Sequence, residues 1–119
     1  EDVYQILKQH AQVPGNVHFY AGTIAEAEKF FELGFTISFT GVITFAKDYE
    51  AVVKWAPLDR IHAETDCPYV APRAYRGQRC EPWMVKEVYE TIADLKGLDE
   101  QVVQAQLCSN AIKMYAGLQ

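Results

Sequence analysis

The amino-acid sequence predicts an α/β chain with parallel strands, and two observations carry that prediction. Three short stretches, residues 16–20, 35–40 and 60–66, read as strands, the first aromatic and β-branched and the second alternating apolar and hydroxyl residues, and segments with apolar residues at helical spacing separate them. Strands separated by helices pair in parallel through right-handed crossovers. Composition agrees: half of the 119 residues are apolar and 23% are charged, which excludes a disordered or collagen-like chain and suits one globular unit with a real core.

Residues 3–12 place Val3, Ile6, Leu7 and His10 at helical spacing and stop before the helix-breaking run Val13-Pro14-Gly15. The first strand, Asn16-Val17-His18-Phe19-Tyr20, closes at Ala21-Gly22. Thr23 then stands as a helix N-cap with Glu26 three residues on, a capping box, and Gly34 occupies the position just past the last turn. Ile24, Ala27, Phe30, Phe31 and Leu33 form the buried stripe of that helix. Residues 35–40 alternate apolar and hydroxyl side chains and end at Gly41, a second strand. A short helix over 48–55 is cut off by Pro57, and the third strand occupies 60–66. Residues 67–81 hold Pro68, Pro72, Arg73, Arg76 and Arg79 and read as a loop. Pro82 suits the first turn of a helix reaching residue 95, with Val85, Val88, Tyr89 and Ile92 on one face. Gly97 ends it, Asp99 caps the last helix, and Val103, Leu107, Ala111 and Met114 form that helix's stripe.

Three parallel strands leave both sheet edges open, and sheets of this kind are normally buried on both faces, so the chain reads as part of a larger sheet. No apolar run approaches the roughly 20 residues of a membrane helix. Glu1-Asp2-Val3 lacks the basic and apolar regions of a signal peptide. Cys67, Cys80 and Cys108 form neither a CxxC pair nor a zinc spacing, and the expected compartment is the reducing cytoplasm. Sixteen acidic against 11 basic residues give a net charge of −5, which argues against holding nucleic acid on a broad basic surface. Any phosphate chemistry here needs a bound cation.

In parallel α/β sheets, function gathers at the carboxyl ends of the strands. The candidates there are His18 and the run Glu64-Thr65-Asp66. Side chains alternate along a strand, so Glu64 and Asp66 share one face and Thr65 takes the other. His18 and Asp66 lie two strands apart, about 10 Å between backbones at about 4.8 Å per strand, within reach of one ion or two adjacent ions. His62 shares that face and is expected to be a core histidine with a hydrogen-bonded ring, and His10 a surface residue. Arg73, Arg76 and Arg79 are the cations available to steady a phosphate or to pair locally. The phenylalanines and Tyr20 are expected to be core.

Several runs resemble one family. Gly15-Asn16-Val17-His18-Phe19-Tyr20-Ala21-Gly22 resembles the histidine-bearing strand-end motif of the TatD family of metal-dependent hydrolases. Residues 33–41, Leu-Gly-Phe-Thr-Ile-Ser-Phe-Thr-Gly, resemble that family's next strand, and Glu64-Thr65-Asp66-Cys67-Pro68-Tyr69 its acidic signature. Pro72, Arg76-Gly77, Glu81-Pro82 and Asn110 follow in the family's order, which is far more specific than any one motif. The resemblance implies a TIM-type (β/α)8 barrel that hydrolyses phosphodiesters, typically DNA, with two divalent metal ions. It implies that His18 ligates one metal, that Asp66 ligates the other and activates water, and that Glu64 stands behind them. Arg73 and Arg76 fall in a region near the substrate opening. Mg²⁺, Mn²⁺ and Zn²⁺ all suit such a donor set.

The family's His-x-His pair and bridging glutamate belong to the N-terminal half of the barrel, and a whole barrel needs about 250 residues. Residues 1–119 are therefore expected to be a single C-terminal portion, about the last three βα units, inactive until the missing N-terminal half or another chain completes it. A second expectation is a catalytically silent interaction module whose sheet edges pair with a partner.

Overall fold

The computed structural model describes residues 2–115. Its elements in order are α1 (Asp2–His10), β1 (Asn16–Val17), α2 (Ile24–Glu32), β2 (Thr36–Phe39), α3 (Glu50–Trp55), β3 (Ile61–Ala63), α4 (Val85–Lys96) and α5 (Glu100–Met114). The strands form one parallel sheet in the order β1-β2-β3, in register Asn16 to Thr36 and Ser38 to His62, as helix-separated strands require.

The punctuation read from the sequence holds at α2, α4 and α5. The Thr23 hydroxyl accepts from the Glu26 backbone N–H while Glu26 Oε2 accepts from the Thr23 N–H at 2.8 Å, so both halves of the capping box form. Gly97 takes the left-handed conformation that closes α4, and Asp99 caps α5 by accepting from the Gln101 and Val102 N–H groups.

The strands are shorter than expected. Phe19 has φ +49, which breaks the β1 ladder after Val17, although pairing resumes where the Tyr20 N–H donates to the Ser38 carbonyl. β3 loses its ladder after Ala63, while the Glu64 N–H still donates to the Phe39 carbonyl. The expected helix over 48–55 divides into a 3₁₀ turn, Lys47–Tyr49, and α3, and Pro82–Met84 likewise opens α4 as a 3₁₀ turn. The loop over 67–81 carries one such turn, Arg73–Tyr75.

Register decides the layers. Val17, Ile37 and Ile61 are cross-strand neighbours on one face, where they meet Ala27, Val52, Val53, Val88, Ile92, Val103 and Leu107 from the helices in a single apolar core. Asn16, Thr36, Ser38 and His62 line the opposite face, and Thr36, Ser38 and His62 are buried there. Tyr20, Phe35 and Phe39 are buried as expected, whereas Phe19, Phe30, Phe31 and Phe45 are half-buried at the rim. Asn110 ties α5 to the sheet: its side-chain N–H group donates to the Leu58 and Ile61 carbonyls at 2.8 Å each. Among the described residues, no helix is long and apolar enough to cross a membrane.

Candidate metal centre

The polar face of the sheet ends, at the carboxyl side of the strands, in three side chains that touch one another. His18 follows β1, and Glu64 and Asp66 follow β3. His18 Nδ1 contacts Glu64 Oε2, and His18 Nε2 lies 3.3 Å from Asp66 Oδ1. The even spacing of Glu64 and Asp66 points both carboxylates at the same imidazole, as alternation along an extended chain requires. Exposure grades the three: 55% for the His18 side chain, 38% for Asp66 and 19% for Glu64, so the carboxylate that is least open to solvent lies beneath the ring.

Each oxygen of Glu64 is engaged. Oε1 accepts the Phe19 N–H at 2.9 Å and contacts the Ser38 hydroxyl, while Oε2 meets the histidine. Both carboxylates can only accept, and a neutral imidazole has one N–H: the closer contact, to Glu64, takes that proton on Nδ1, and the Nε2 lone pair a metal needs is turned toward Asp66. Two lone-pair atoms then face each other across 3.3 Å. At that separation the two atoms can serve one ion or two adjacent ions. The imidazole-carboxylate donor set and its supporting carboxylate therefore fit a share of a divalent-metal site. They make only a share: among the described residues, no group of three or more His, Cys, Asp or Glu is placed to hold an ion, because Glu64 is taken up at the far nitrogen.

The arginines of the 67–81 loop sit to the side. The Arg73 backbone N–H donates to the Thr44 hydroxyl at 2.7 Å, the Arg76 guanidinium lies 4.2 Å over the Phe45 ring, and Arg79 pairs with Glu81 at 3.2 Å. Thr44, Phe45, Lys47 and Arg73 border an open cleft of about 360 Å³. The loop itself is held by a close approach: a Cβ on Gly41 would stand 2.6 Å from the Val70 carbonyl oxygen. His62 is a core histidine, as expected, with Nε2 2.9 Å from the Thr36 hydroxyl, and burial pushes its imidazole below the ordinary value. Cys67, Cys80 and Cys108 are unpaired, and burial pushes the Cys80 thiol up, away from reactivity.

The residues that sequence reasoning passed over are Asn16, Thr36 and Ser38. The signal for Thr36 and Ser38 was present in the alternation of residues 35–40, which puts hydroxyls on a face that a parallel sheet buries.

With this geometry in place, comparison with known proteins is decisive. The family model described as TatD related DNase matches residues 1–116. The chain belongs to the TatD family. It is 39% identical over 119 residues to YabD of Bacillus subtilis, an uncharacterized metal-dependent hydrolase, covering 97% of this chain and 47% of that protein. It is 36% identical over 118 residues to YcfH of Escherichia coli, described in the same words, covering 96% and 44%. The crystal structure of the E. coli TatD homologue YjjV superposes with a TM-score of 0.87 at 26% identity, covering 96% of this chain and 45% of that one. A TatD family hydrolase from Entamoeba histolytica shares the fold with a TM-score of 0.86 at 23% identity, covering 97% and 47%. This TatD chain thus spans about half the length of the relatives it matches.

Proposed function

We propose that this chain is the C-terminal part, about the last three βα units, of a TIM-type (β/α)8 barrel that hydrolyses phosphodiester bonds, DNA foremost, with two divalent metal ions (Mg²⁺, Mn²⁺ or Zn²⁺). Residues 1–119 form a single unit of that barrel, and an N-terminal half or another chain completes the sheet and the ligand set. The observation that carries the reading is the meeting of His18 Nε2 and Asp66 Oδ1 at 3.3 Å, with Glu64 fixing the other ring nitrogen. The family description as a DNase supports the substrate. Unpaired cysteines suit the cytoplasm.

When bound, the divalent ions supply Lewis acidity, polarising the scissile phosphate and lowering the pKa of water. His18 would hold one ion through Nε2 and Asp66 the other through a carboxylate oxygen. Asp66 would also be the base: with its side chain 38% exposed it can meet water and accept its proton as the oxygen attacks phosphorus, the P–O bond to the leaving group breaks, and the departing oxygen takes a proton from solvent. Glu64 keeps the His18 lone pair aimed through the charge-assisted bond at Nδ1. Arg73 and Arg76, on the 67–81 loop, would meet substrate phosphates.

The experiment is metal-dependent cleavage of DNA by the complete protein and its Asp66→Ala variant. Loss of activity by about 10²–10⁴-fold is expected on removing a group that serves as both ligand and base. Undiminished cleavage would refute the reading.

A further inference from the structure

The polar row on the sheet face opposite the core is hydrogen-bonded from end to end, and its donors all run one way. His62 Nε2 lies 2.9 Å from Thr36 Oγ1, Thr36 Oγ1 lies 3.1 Å from Asn16 Oδ1, and Asn16 Nδ2 lies 2.9 Å from Ser38 Oγ. Ser38 Oγ in turn contacts Glu64 Oε1. The Asn16 amide sets the direction, because its nitrogen only donates and its oxygen only accepts. Thr36 directs its one hydroxyl proton to Asn16 at 3.1 Å, nearer than the competing Gly15 carbonyl at 3.5 Å, and accepts from His62. Ser38 accepts from Asn16, which leaves its own proton for Glu64. The competing acceptor, the Val17 carbonyl at 3.4 Å, is neutral and distant, and a carboxylate is the stronger partner.

The row thus delivers one oriented O–H to the carboxylate beneath His18. Glu64 Oε1 has two donors, that hydroxyl and the Phe19 N–H, and Phe19 itself sits at φ +49, a conformation that persists only when its surroundings hold it. Without the hydroxyl, one backbone N–H on a strained turn is left to fix Oε1, and the carboxylate is free to rotate away from the ring. Donors aligned head to tail also polarise one another, so the last bond in the row is strengthened by those behind it.

We propose that Ser38 is a positioning residue of the metal centre: through Ser38 the row from His62 to Asn16 holds Glu64 in the rotamer that keeps His18 in its Nδ1–H tautomer, with Nε2 open toward Asp66. This rests on the reading of His18 and Asp66 as metal ligands. Ser38 is 1% exposed, and its contact toward the metal centre is Glu64, so it acts there through that carboxylate.

The test uses the complete protein, stripped of metal by a chelator, with the His18 ring read by long-range ¹H–¹⁵N NMR above the imidazole titration range. The wild type is expected to show the Nδ1–H tautomer alone. Ser38→Ala is expected to show both tautomers and to bind Mn²⁺ about tenfold more weakly, at the lower end of the 10–100-fold span for groups that orient metal ligands. Ser38→Thr, which keeps the hydroxyl, is expected to restore both readouts. Asn16→Ala, at a half-buried edge position, removes the bond that orients the Ser38 proton and is expected to move the ring in the same direction, which keeps the test open if Ser38→Ala folds poorly. A ring unchanged in both alanine variants overturns the proposal, and weaker Mn²⁺ binding with an unchanged ring overturns it too, since a merely structural hydroxyl would give that result. The metal reading fails separately, if Asp66→Ala leaves Mn²⁺ affinity intact, and the metal-free tautomer comparison then still decides the role of Ser38.

Discussion

Substituting Asn110 with Ala should cost about 2–4 kcal/mol of folding stability. The structure sets that magnitude. Asn110 is 5% exposed, and its side-chain N–H group donates to two backbone carbonyls, Ile61 and Leu58, each at 2.8 Å. The bond to Ile61 is buried, so its loss leaves a carbonyl with the full desolvation penalty of about 1–3 kcal/mol. The bond to Leu58 is only partly buried, and losing it is worth about 0.5–1.5 kcal/mol, since water can reach that oxygen. Urea unfolding is the assay: at a slope of about 2 kcal/mol/M, the middle of the usual range, the midpoint should fall by about 1–2 M. Asn110→Asp sharpens the test, because it keeps the shape and replaces the donor with an acceptor facing two carbonyl oxygens. It should be less stable than the alanine variant at neutral pH and recover in part as acid protonates the new carboxyl. An alanine variant within about 0.5 kcal/mol of the wild type, the range of ordinary surface changes, would refute this account of how α5 holds the sheet.

Two further outcomes follow from the same structure. Gly41→Ala puts a Cβ 2.6 Å from the Val70 carbonyl oxygen and 3.0 Å from the Pro72 nitrogen, both backbone atoms, so the 70–72 segment must move; destabilisation of about 1–3 kcal/mol is expected by urea unfolding, together with weaker Mn²⁺ binding in a calorimetric titration, since that segment continues the chain from Asp66. Burial pushes the His62 imidazole below its ordinary value, with Glu64 opposing, so as pH falls the unfolded chain binds this proton before the folded one does. The contribution of His62 is therefore full above about pH 6.5 and declines as pH drops below it toward the folded value; unfolding measured at about pH 8 and about pH 5 should show a smaller loss in His62→Gln than in the wild type, and equal losses would discard the assignment.

How much of this was legible beforehand depends on whether the controlling interaction is local. Thr23, Gly97 and Asp99 act on neighbours within four residues, and all three were read correctly as helix punctuation. His18, Glu64 and Asp66 were legible through motif order and through alternation, which alone puts both carboxylates on one face. Strand ends were not legible, because what terminates β1 is the left-handed Phe19, whose N–H is held by a carboxylate 45 residues away. Thr36 and Ser38 were half-legible, since alternation puts their hydroxyls on a buried face, but Asn16 carried no such signal, and only the register that places Asn16 beside Thr36 and Ser38 beside His62 makes the three a row.

Among the described residues, two non-glycine residues adopt positive φ, Phe19 at +49 and Val70 at +56, and for a β-branched residue such as Val70 this is a true outlier. One directly follows His18, and the other lies four residues past Asp66. Conformations of this kind persist where surrounding contacts over-determine them. At Phe19 the contact is Glu64, and at Val70 it is the close packing of residues 70–72 on Gly41. The carboxylate that orients His18 thus also holds the turn that carries His18 off the strand, so ring orientation and backbone path are set by one side chain. That coupling gives the polar row on this buried face a use that apolar side chains could not supply: its last hydroxyl, on Ser38, holds Glu64 from behind.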